Sequence, residues 1–194
     1  KDVIHKIDKF CYENHWMMNL GDEKGKLYQD ELRKCGSGIG LELGCYMGYS
    51  CLLALDAMED NLKDSKMVCI DPNKYTNRLA QEIFDYAGVT DRVKIFNGIL
   101  IDFCSQMMKL NIYFHHVLLD HEKAAYFSDL IILEKYKIIR SGTMLFADNV
   151  VVFKINNYLE YVNKSNKYEE QKLHHTNLEY TTEHKDGVHI SYFV

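Results

Sequence analysis

Residues 39–50 read Ile-Gly-Leu-Glu-Leu-Gly-Cys-Tyr-Met-Gly-Tyr-Ser, and they are the most informative segment of the chain. An apolar strand ends in Glu42-Leu43-Gly44, three residues follow, and Gly48 and Ser50 open a predicted helix. The order strand, glycine turn, helix builds a site for a nucleotide-like ligand at the carboxyl edge of a parallel sheet. We expect both glycines to let the backbone approach that ligand where a Cβ would collide. The dinucleotide pattern G-x-G-x-x-G is absent, so no phosphate need be bound here.

The same alternation of strand and helix continues along the chain. The hydrophobic pattern predicts parallel strands at 39–43, 67–71, 92–97, 115–120 and 143–147. It predicts an opening helix that ends near residue 14. It predicts further helices over 22–34, 48–60, 74–87, 100–109, 124–139 and 154–164. Two late strands, at 168–175 and 188–194, are separated by the turn signal Lys185-Asp186-Gly187 and fit an antiparallel edge. We therefore predict a single α/β domain with a doubly wound, mostly parallel sheet of seven strands, in which residues 1–36 form a helical cap and 37–194 the core.

Composition narrows the class of protein. A net charge of −5 argues against a nucleic-acid surface as the main role, because such domains usually carry a basic face. Six cysteines form no C-x-x-C pair, which predicts reduced thiols packed as small hydrophobic side chains. No apolar run approaches the roughly 18–20 residues of a membrane span. We expect a cytoplasmic protein that is a monomer or a weak dimer.

Carboxylates end four of the five predicted parallel strands, where doubly wound sheets bind their ligands. They belong to Glu42, Asp71, Asp120 and Asp148. Asp71 is placed to accept both ribose hydroxyls of a nucleoside. Asp120, Asp148 and the adjacent Asn149 offer only oxygen ligands, a set that suits Mg²⁺. Any one of these carboxylates could instead begin a loop or cap a helix N-terminus, but the four together favour a ligand-binding site.

Lys123 lies three residues beyond Asp120 and has two interpretations. One is a solvated lysine at the start of a helix. The other is a general base beside the metal, with its pKa lowered from about 10.4 by positive charge and partial burial. His115 and His116 point to opposite faces of a strand, so they cannot chelate one metal ion together.

The motifs resemble a known family. The E-x-G-x-x-x-G spacing from Glu42 to Gly48 resembles the signature of S-adenosylmethionine-dependent methyltransferases. Five segments, in the same order and at similar spacing, resemble catechol O-methyltransferases: Trp-Met-Met-Asn-Leu-Gly-Asp-Glu-Lys-Gly at 16–25, the segment 41–50, Leu-Asp-His-Glu-Lys at 119–123, Ala-Asp-Asn-Val at 147–150 and Leu-Glu-Tyr at 178–180. This resemblance implies a Rossmann-like methyltransferase fold and Mg²⁺-dependent methylation of one hydroxyl of an aromatic vicinal diol.

The resemblance also implies a role for individual residues. Lys123 would be the catalytic base, and Lys123, Asn149 and Glu179 would bind the substrate. Asp120, Asp148 and Asn149 would bind Mg²⁺. The pocket for S-adenosylmethionine would be lined by Met18, Leu20, Glu42, Gly44, Tyr46, Ser50, Asp71, Leu100, Asp120 and His121.

The chain departs from the family at four places. Asp71 stands where the family usually has Glu, and Leu100-Ile101 stand where it has Ser-Gln near the adenine. Glu122 stands where it has Trp, and Phe153 where it has Pro. The first two changes bear on cofactor binding and the last two on the acceptor. A carboxylate at Glu122 should be solvated, salt-bridged or facing a cationic substrate, because burying it unpaired is costly.

Three alternatives remain from the sequence. The same fold could methylate a hydroxylated tRNA base, which a basic rim around the site would favour. A non-catalytic binder of S-adenosylmethionine would be indicated by a pocket that Leu100, Ile101 or Glu122 blocks. An NAD-dependent dehydrogenase is disfavoured by the missing G-x-G-x-x-G motif.

Overall fold

The computed structural model describes residues 1–36, 38–58 and 65–194. Their strands are β1 (Ile39–Leu43), β2 (Lys66–Asp71), β3 (Val93–Asn97), β4 (His116–Leu119), β5 (Met144–Ala147), β6 (Tyr168–Asn177) and β7 (Lys185–Phe193). They form one sheet in the order β3-β2-β1-β4-β5-β7-β6. The first five strands run parallel, and β7 pairs antiparallel with both β5 and β6. The predicted seven-stranded, Rossmann-like sheet is confirmed, with the antiparallel strand one position in from the edge.

Helices cover both faces of this sheet. The α-helices of the described residues are α1 (Asp2–Glu13), α2 (Asp22–Cys35), α3 (Tyr49–Met58), α4 (Lys74–Ala87), α5 (Leu100–Lys109), α6 (Tyr126–Lys135) and α7 (Asn156–Lys164). One hydrophobic core joins the sheet to α1–α4, and a second joins its other face to α5–α7. Neighbouring residues of one strand supply both cores, since Leu118 packs in the first and Leu119 in the second. A strand buried on both faces reads as a continuous apolar run, as β4 and β5 do.

One predicted helix ends earlier than its pattern suggests. The helix predicted over 124–139 is a short 3-10 turn, Lys123–Ala125, followed by α6. Lys137 has a left-handed backbone (φ +54°), which turns the chain and buries Ile138 in the second core. The helix predicted over 48–60 is present as α3, and residues 59–60 of that prediction lie outside the described part of the chain.

The turn predicted at Lys185-Asp186-Gly187 is wrong. These residues open β7, and the chain reverses within 178–184 instead. Gly187 is needed for close strand approach, because a Cβ there would lie 2.8 Å from the carbonyl oxygen of His174. Asp186 is fully buried.

Gly44 and Gly48 allow other parts of the protein to approach the backbone closely, and the expected approach of a ligand to them stays a prediction. Both have positive φ (+94° and +80°). A Cβ on Gly44 would lie 2.4 Å from the carbonyl oxygen of Asp120, and one on Gly48 would lie 2.4 Å from the Phe84 ring. The turn after β1 is therefore shaped by contact with β4 and α4.

All six cysteines are free thiols, and five of them are buried, as expected. No helix within the described ranges is long and apolar enough to cross a membrane.

Gly48→Ala should lower the free energy of unfolding by roughly 2–5 kcal/mol, because it combines a left-handed alanine with overpacking against Phe84. Gly88→Ala is the matched control, since Gly88 has φ +70° and open space around it. It should cost only about 1–2 kcal/mol. Urea unfolding measures both, and equal losses would contradict the packing argument.

Candidate active site

The carboxyl ends of β1, β2, β4 and β5 open into one cleft of about 500 Å³. Ten residues predicted for the site line this cleft: Met18, Gly44, Tyr46, Asp71, Asp120, His121, Lys123, Asp148, Asn149 and Glu179. The other four are buried outside its lining: Leu20, Glu42, Ser50 and Leu100. Leu20 and Leu100 pack in the first and second core respectively, so their side chains serve the fold. Their roles towards a cofactor stay predictions.

The buried side chain of Glu42 stabilises the turn between β1 and α3. Its carboxyl accepts hydrogen bonds from the Ser50 hydroxyl and, at 3.7 Å, from the Cys69 thiol. Burial raises the pKa of Glu42 to about 8, although those hydrogen bonds act in the opposite direction. Burial therefore favours the protonated form of this carboxyl. Of the two acidic residues predicted for the cofactor side, only Asp71 faces the cleft.

Asp71 stands at the end of β2 and fixes two backbone turns. One carboxylate oxygen accepts the backbone N–H of Tyr46 at 3.1 Å, and the other accepts that of Asn73 at 2.7 Å. The first bond holds Tyr46 in its left-handed conformation (φ +45°) at the edge of the glycine turn. Each oxygen keeps a lone pair for a ligand in the cleft.

Lys123 is tied to the ends of β4 and β5. Its Nζ lies 2.6 Å from Asp120 Oδ1 and donates to the Tyr126 hydroxyl at 3.0 Å. Tyr126 is fully buried and donates in turn to the carbonyl oxygen of Leu119 at 2.7 Å. The ammonium is therefore held beside the cleft, which rules out the interpretation of Lys123 as a freely solvated lysine.

His121 is held in place by Asp129 and Tyr126. Its Nε2 lies 2.9 Å from an oxygen of Asp129, and its ring stacks on Tyr126 with centroids 5.1 Å apart. The imidazole thus forms a fixed part of the cleft wall.

A buried lysine that the sequence analysis missed lies behind the cleft. Lys24 of α2 is fully buried, and its Nζ lies 2.8 Å from Asp148 Oδ1, 2.9 Å from Glu179 Oε2 and 3.1 Å from Asp186 Oδ2. Burial alone would lower the pKa of Lys24, but the three carboxylates raise it, so the ammonium stays charged. Burial raises the pKa of Asp148 and Lys24 only partly offsets this.

Asn149 is oriented by the same group of residues. Its backbone is left-handed (φ +56°), and its Nδ2 donates to Asp186 Oδ2 at 2.8 Å. The other oxygen of Asp186 accepts the backbone N–H of Val152 at 3.1 Å. Since the amide nitrogen is used by Asp186, the amide oxygen of Asn149 is the atom left to face the cleft.

The charges of this region suit a divalent cation. One ammonium, Lys24, faces three buried carboxylates, which leaves a formal charge of −2 when all are ionised. Asp120 is balanced by Lys123. A divalent cation beside Asp148 would bring the group to neutrality, and the carboxylate and amide oxygens of Asp120, Asp148 and Asn149 are ligands that Mg²⁺ prefers.

The rim of the cleft is partly apolar. Trp16, Met18 and Phe153 line it and are each about half exposed, at 48%, 57% and 58%. The Trp16 indole donates to the backbone carbonyl of Glu179 at 3.0 Å. Glu122 is exposed at the same rim and accepts the backbone N–H of Ala124 at 3.3 Å, so its carboxylate is solvated, one of the expected outcomes.

Lys24, Asp186 and Tyr126 are the residues that sequence reasoning missed. A signal for Lys24 exists, because it shares one helical row with the core residues Tyr28 and Leu32. A lysine on a buried helix face needs carboxylate partners. No comparable local signal marks Asp186 within its turn-like tripeptide.

Comparison with known proteins relates this geometry to a family. The sequence model of the family described as O-methyltransferase matches residues 1–185. Catechol O-methyltransferase of Mus musculus is 33% identical over 175 residues, which are 87% of this chain and 63% of that protein. Catechol O-methyltransferase B of Danio rerio is 33% identical over 196 residues, 100% of this chain and 72% of that protein. The chain thus spans less than two thirds of the length of the mouse relative.

Solved structures share the fold. The O-methyltransferase TomG of Streptomyces achromogenes, in complex with SAM, has a TM-score of 0.84 at 18% identity and covers 100% of this chain and 90% of its own. An O-methyltransferase from Bacillus cereus, in complex with SAH, has a TM-score of 0.82 at 18% identity, with 100% and 91% covered. Because the family match extends over nearly all of the sequence and the sheet has the same architecture, the chain belongs to the O-methyltransferase family.

Proposed function

We propose that the protein transfers a methyl group from S-adenosylmethionine to one hydroxyl of an aromatic vicinal diol, of the catechol type, that is held by Mg²⁺. The observation that carries this proposal is the meeting of Asp120, Lys123, Asp148 and Asn149 in the cleft that also contains the glycine turn of β1. Family membership supports methyl transfer to oxygen. The acceptor class is suggested by the relatives that are catechol O-methyltransferases.

The side of the cleft at β1 and β2 would hold the cofactor. Asp71 would accept the ribose hydroxyls with the lone pairs that Tyr46 and Asn73 leave unused. Glu42 and Ser50 would act from behind, by keeping the glycine turn in shape. Bound there, S-adenosylmethionine supplies an electrophilic methyl group on a sulfonium ion.

The side at β4 and β5 would hold the metal and the acceptor. Asp120, Asp148 and Asn149 would be the protein ligands of Mg²⁺, which would lower the pKa of a diol hydroxyl as a Lewis acid. Glu179 would accept a hydrogen bond from an acceptor hydroxyl. The exposed rings of Trp16 and Phe153 would flank the aromatic ring of the acceptor.

Lys123 would remove the proton from the hydroxyl that attacks. At present its ammonium is stabilised by Asp120, 2.6 Å away. Because Asp120 is also a proposed metal ligand, this contact would place Lys123 Nζ beside a hydroxyl held by the ion, where a general base is needed.

The alternatives receive no support from the cleft. Among its described lining residues Lys123 is the sole Lys or Arg, against five acidic residues, so there is no basic rim for a tRNA. Leu100 and Ile101 lie outside the lining, and Glu122 stays at the exposed rim, so none of them blocks the cleft. A single domain with a helical cap at 1–36, a cytoplasmic location and a monomeric or weakly dimeric state complete the proposal.

Methyl transfer from labelled S-adenosylmethionine tests the proposed function. We expect 1,2-dihydroxybenzenes to give a monomethylated product in Mg²⁺ and none in EDTA, because both hydroxyls must reach the metal. A 1,3-dihydroxybenzene is the matched control acceptor and should remain unmodified. Equal product from both isomers, or undiminished transfer in EDTA, would refute the metal-bound diol.

Lys123→Met should reduce kcat by about 10²–10⁴, the usual effect of losing a general base. Lys135→Met, an exposed lysine in the last turn of α6, is the control and should leave kcat unchanged. Steady-state assays with saturating acceptor measure both. Normal turnover by the Lys123 variant would exclude it as the base.

Asp148→Asn should abolish Mg²⁺-dependent transfer but leave S-adenosylmethionine binding in EDTA unchanged, because Asp148 lies at β5 and the cofactor side at β1 and β2. Calorimetry without metal measures the binding. A parallel loss of cofactor affinity would show that the two halves of the cleft are not separate.

A further inference from the structure

Lys24 is the basic group most fully enclosed by acidic side chains among the described residues. Its Nζ lies within 3.1 Å of three carboxylates, and the side chains of Lys24 and Asp186 have no exposed surface at all. Two of the three partners, Asp148 and Glu179, also line the cleft, whereas Asp186 does not. Lys24 therefore touches the site only through other residues.

Close helix packing keeps Lys24 in this position. The next residue, Gly25, faces Leu53 of α3 so closely that a Cβ would lie 2.6 Å from its methyl group. Lys24 also shares the buried row of α2 with Tyr28 and Leu32. The side chain of Lys24 therefore lies on the buried side of a helix that is packed closely against α3.

Asp186 extends the effect of Lys24 to Asn149. One of its oxygens accepts from both Lys24 Nζ and Asn149 Nδ2, at 3.1 and 2.8 Å. The position of this carboxylate determines which end of the Asn149 amide faces the cleft. The ammonium of Lys24 thus connects, directly or through Asp186, three residues that have a role in the proposed function: Asp148, Asn149 and Glu179.

We propose that Lys24 is a positioning residue of the metal site, a permanent internal counterion that holds Asp148, Glu179 and Asp186 together while no divalent cation is bound. This inference rests on the proposed function in placing Mg²⁺ beside Asp148. Without Lys24 the three carboxylates repel one another in a buried space, and the folded state becomes dependent on a divalent cation. With it, the ligands are in place before the ion arrives.

The test is thermal unfolding of Lys24→Met in EDTA and in Mg²⁺. In EDTA the midpoint should fall by roughly 10 °C, because a buried ion pair loses its one cation. Mg²⁺ should then raise the midpoint of the variant by clearly more than it raises that of the wild type. Lys26→Met, two residues on and paired with Asp30 at the surface, should change neither value.

A compensating variant separates charge from shape. Lys24→Met combined with Asp186→Asn restores the formal charge of the group at nearly constant volume, so it should unfold at a higher temperature in EDTA than Lys24→Met alone. If Lys24→Met does not fold in EDTA, recovery by Mg²⁺ or by the second substitution supports the proposal, and failure of both overturns it. If Lys24→Met does fold in EDTA, the proposal is overturned when its midpoint matches that of the wild type or when Mg²⁺ raises its midpoint no more than it raises that of the wild type.

Measurements on the wild type alone test the proposed function separately from the role of Lys24. Calorimetric titration with Mg²⁺ and methyl transfer to a 1,2-diol report on the metal and the reaction. A wild type that binds no Mg²⁺ would refute the proposed function, whereas a wild type that binds it beside an unaffected Lys24→Met variant would refute only the role of Lys24.

Discussion

The burial of one ammonium, that of Lys24, constrains the whole acidic side of the cleft. A charged group without water is tolerated only where opposite charges meet it with good geometry. Here the partners come from three places in the chain: Asp148 after β5, Glu179 between β6 and β7, and Asp186 in β7. These segments and α2 must therefore meet at one atom, Lys24 Nζ. The second helix of the chain is for this reason part of the site as well as a cover for the sheet.

The ends of β4 and β5 also fix the position of Lys123 in the cleft. Tyr126 starts α6, and its buried hydroxyl bonds to the backbone of Leu119 while it accepts from Lys123. Lys123 therefore takes its position from the sheet through a rigid ring, although it lies in a short loop helix. Its partner Asp120 is pressed against Gly44, where a Cβ would lie 2.4 Å from the Asp120 carbonyl oxygen. The two halves of the cleft share this contact.

The acidic residues at the strand ends have different roles despite similar sequence settings. Glu42 lies within β1 and faces α3, and burial raises its pKa to about 8. Asp71 is the last residue of β2, faces the cleft and accepts two backbone N–H groups. Successive side chains of a strand point to opposite faces of the sheet. The helices that pack on the sheet determine which of these side chains are buried.

Hydrophobic periodicity and strand ends are local properties, so the sequence predicts the alternation of strands and helices, the sheet edge that carries the site and the cleft residues Asp71, Asp120, Asp148 and Asn149. The roles of Lys123 and Glu179 were predicted from the family resemblance. Three features are visible only in the folded chain: α6 ends before Lys137, Lys185-Asp186-Gly187 is strand rather than turn, and Lys24 contacts Asp186 across 162 positions of the chain. The physical reason is that burial and charge pairing depend on which distant segments pack together, and no local pattern contains that information.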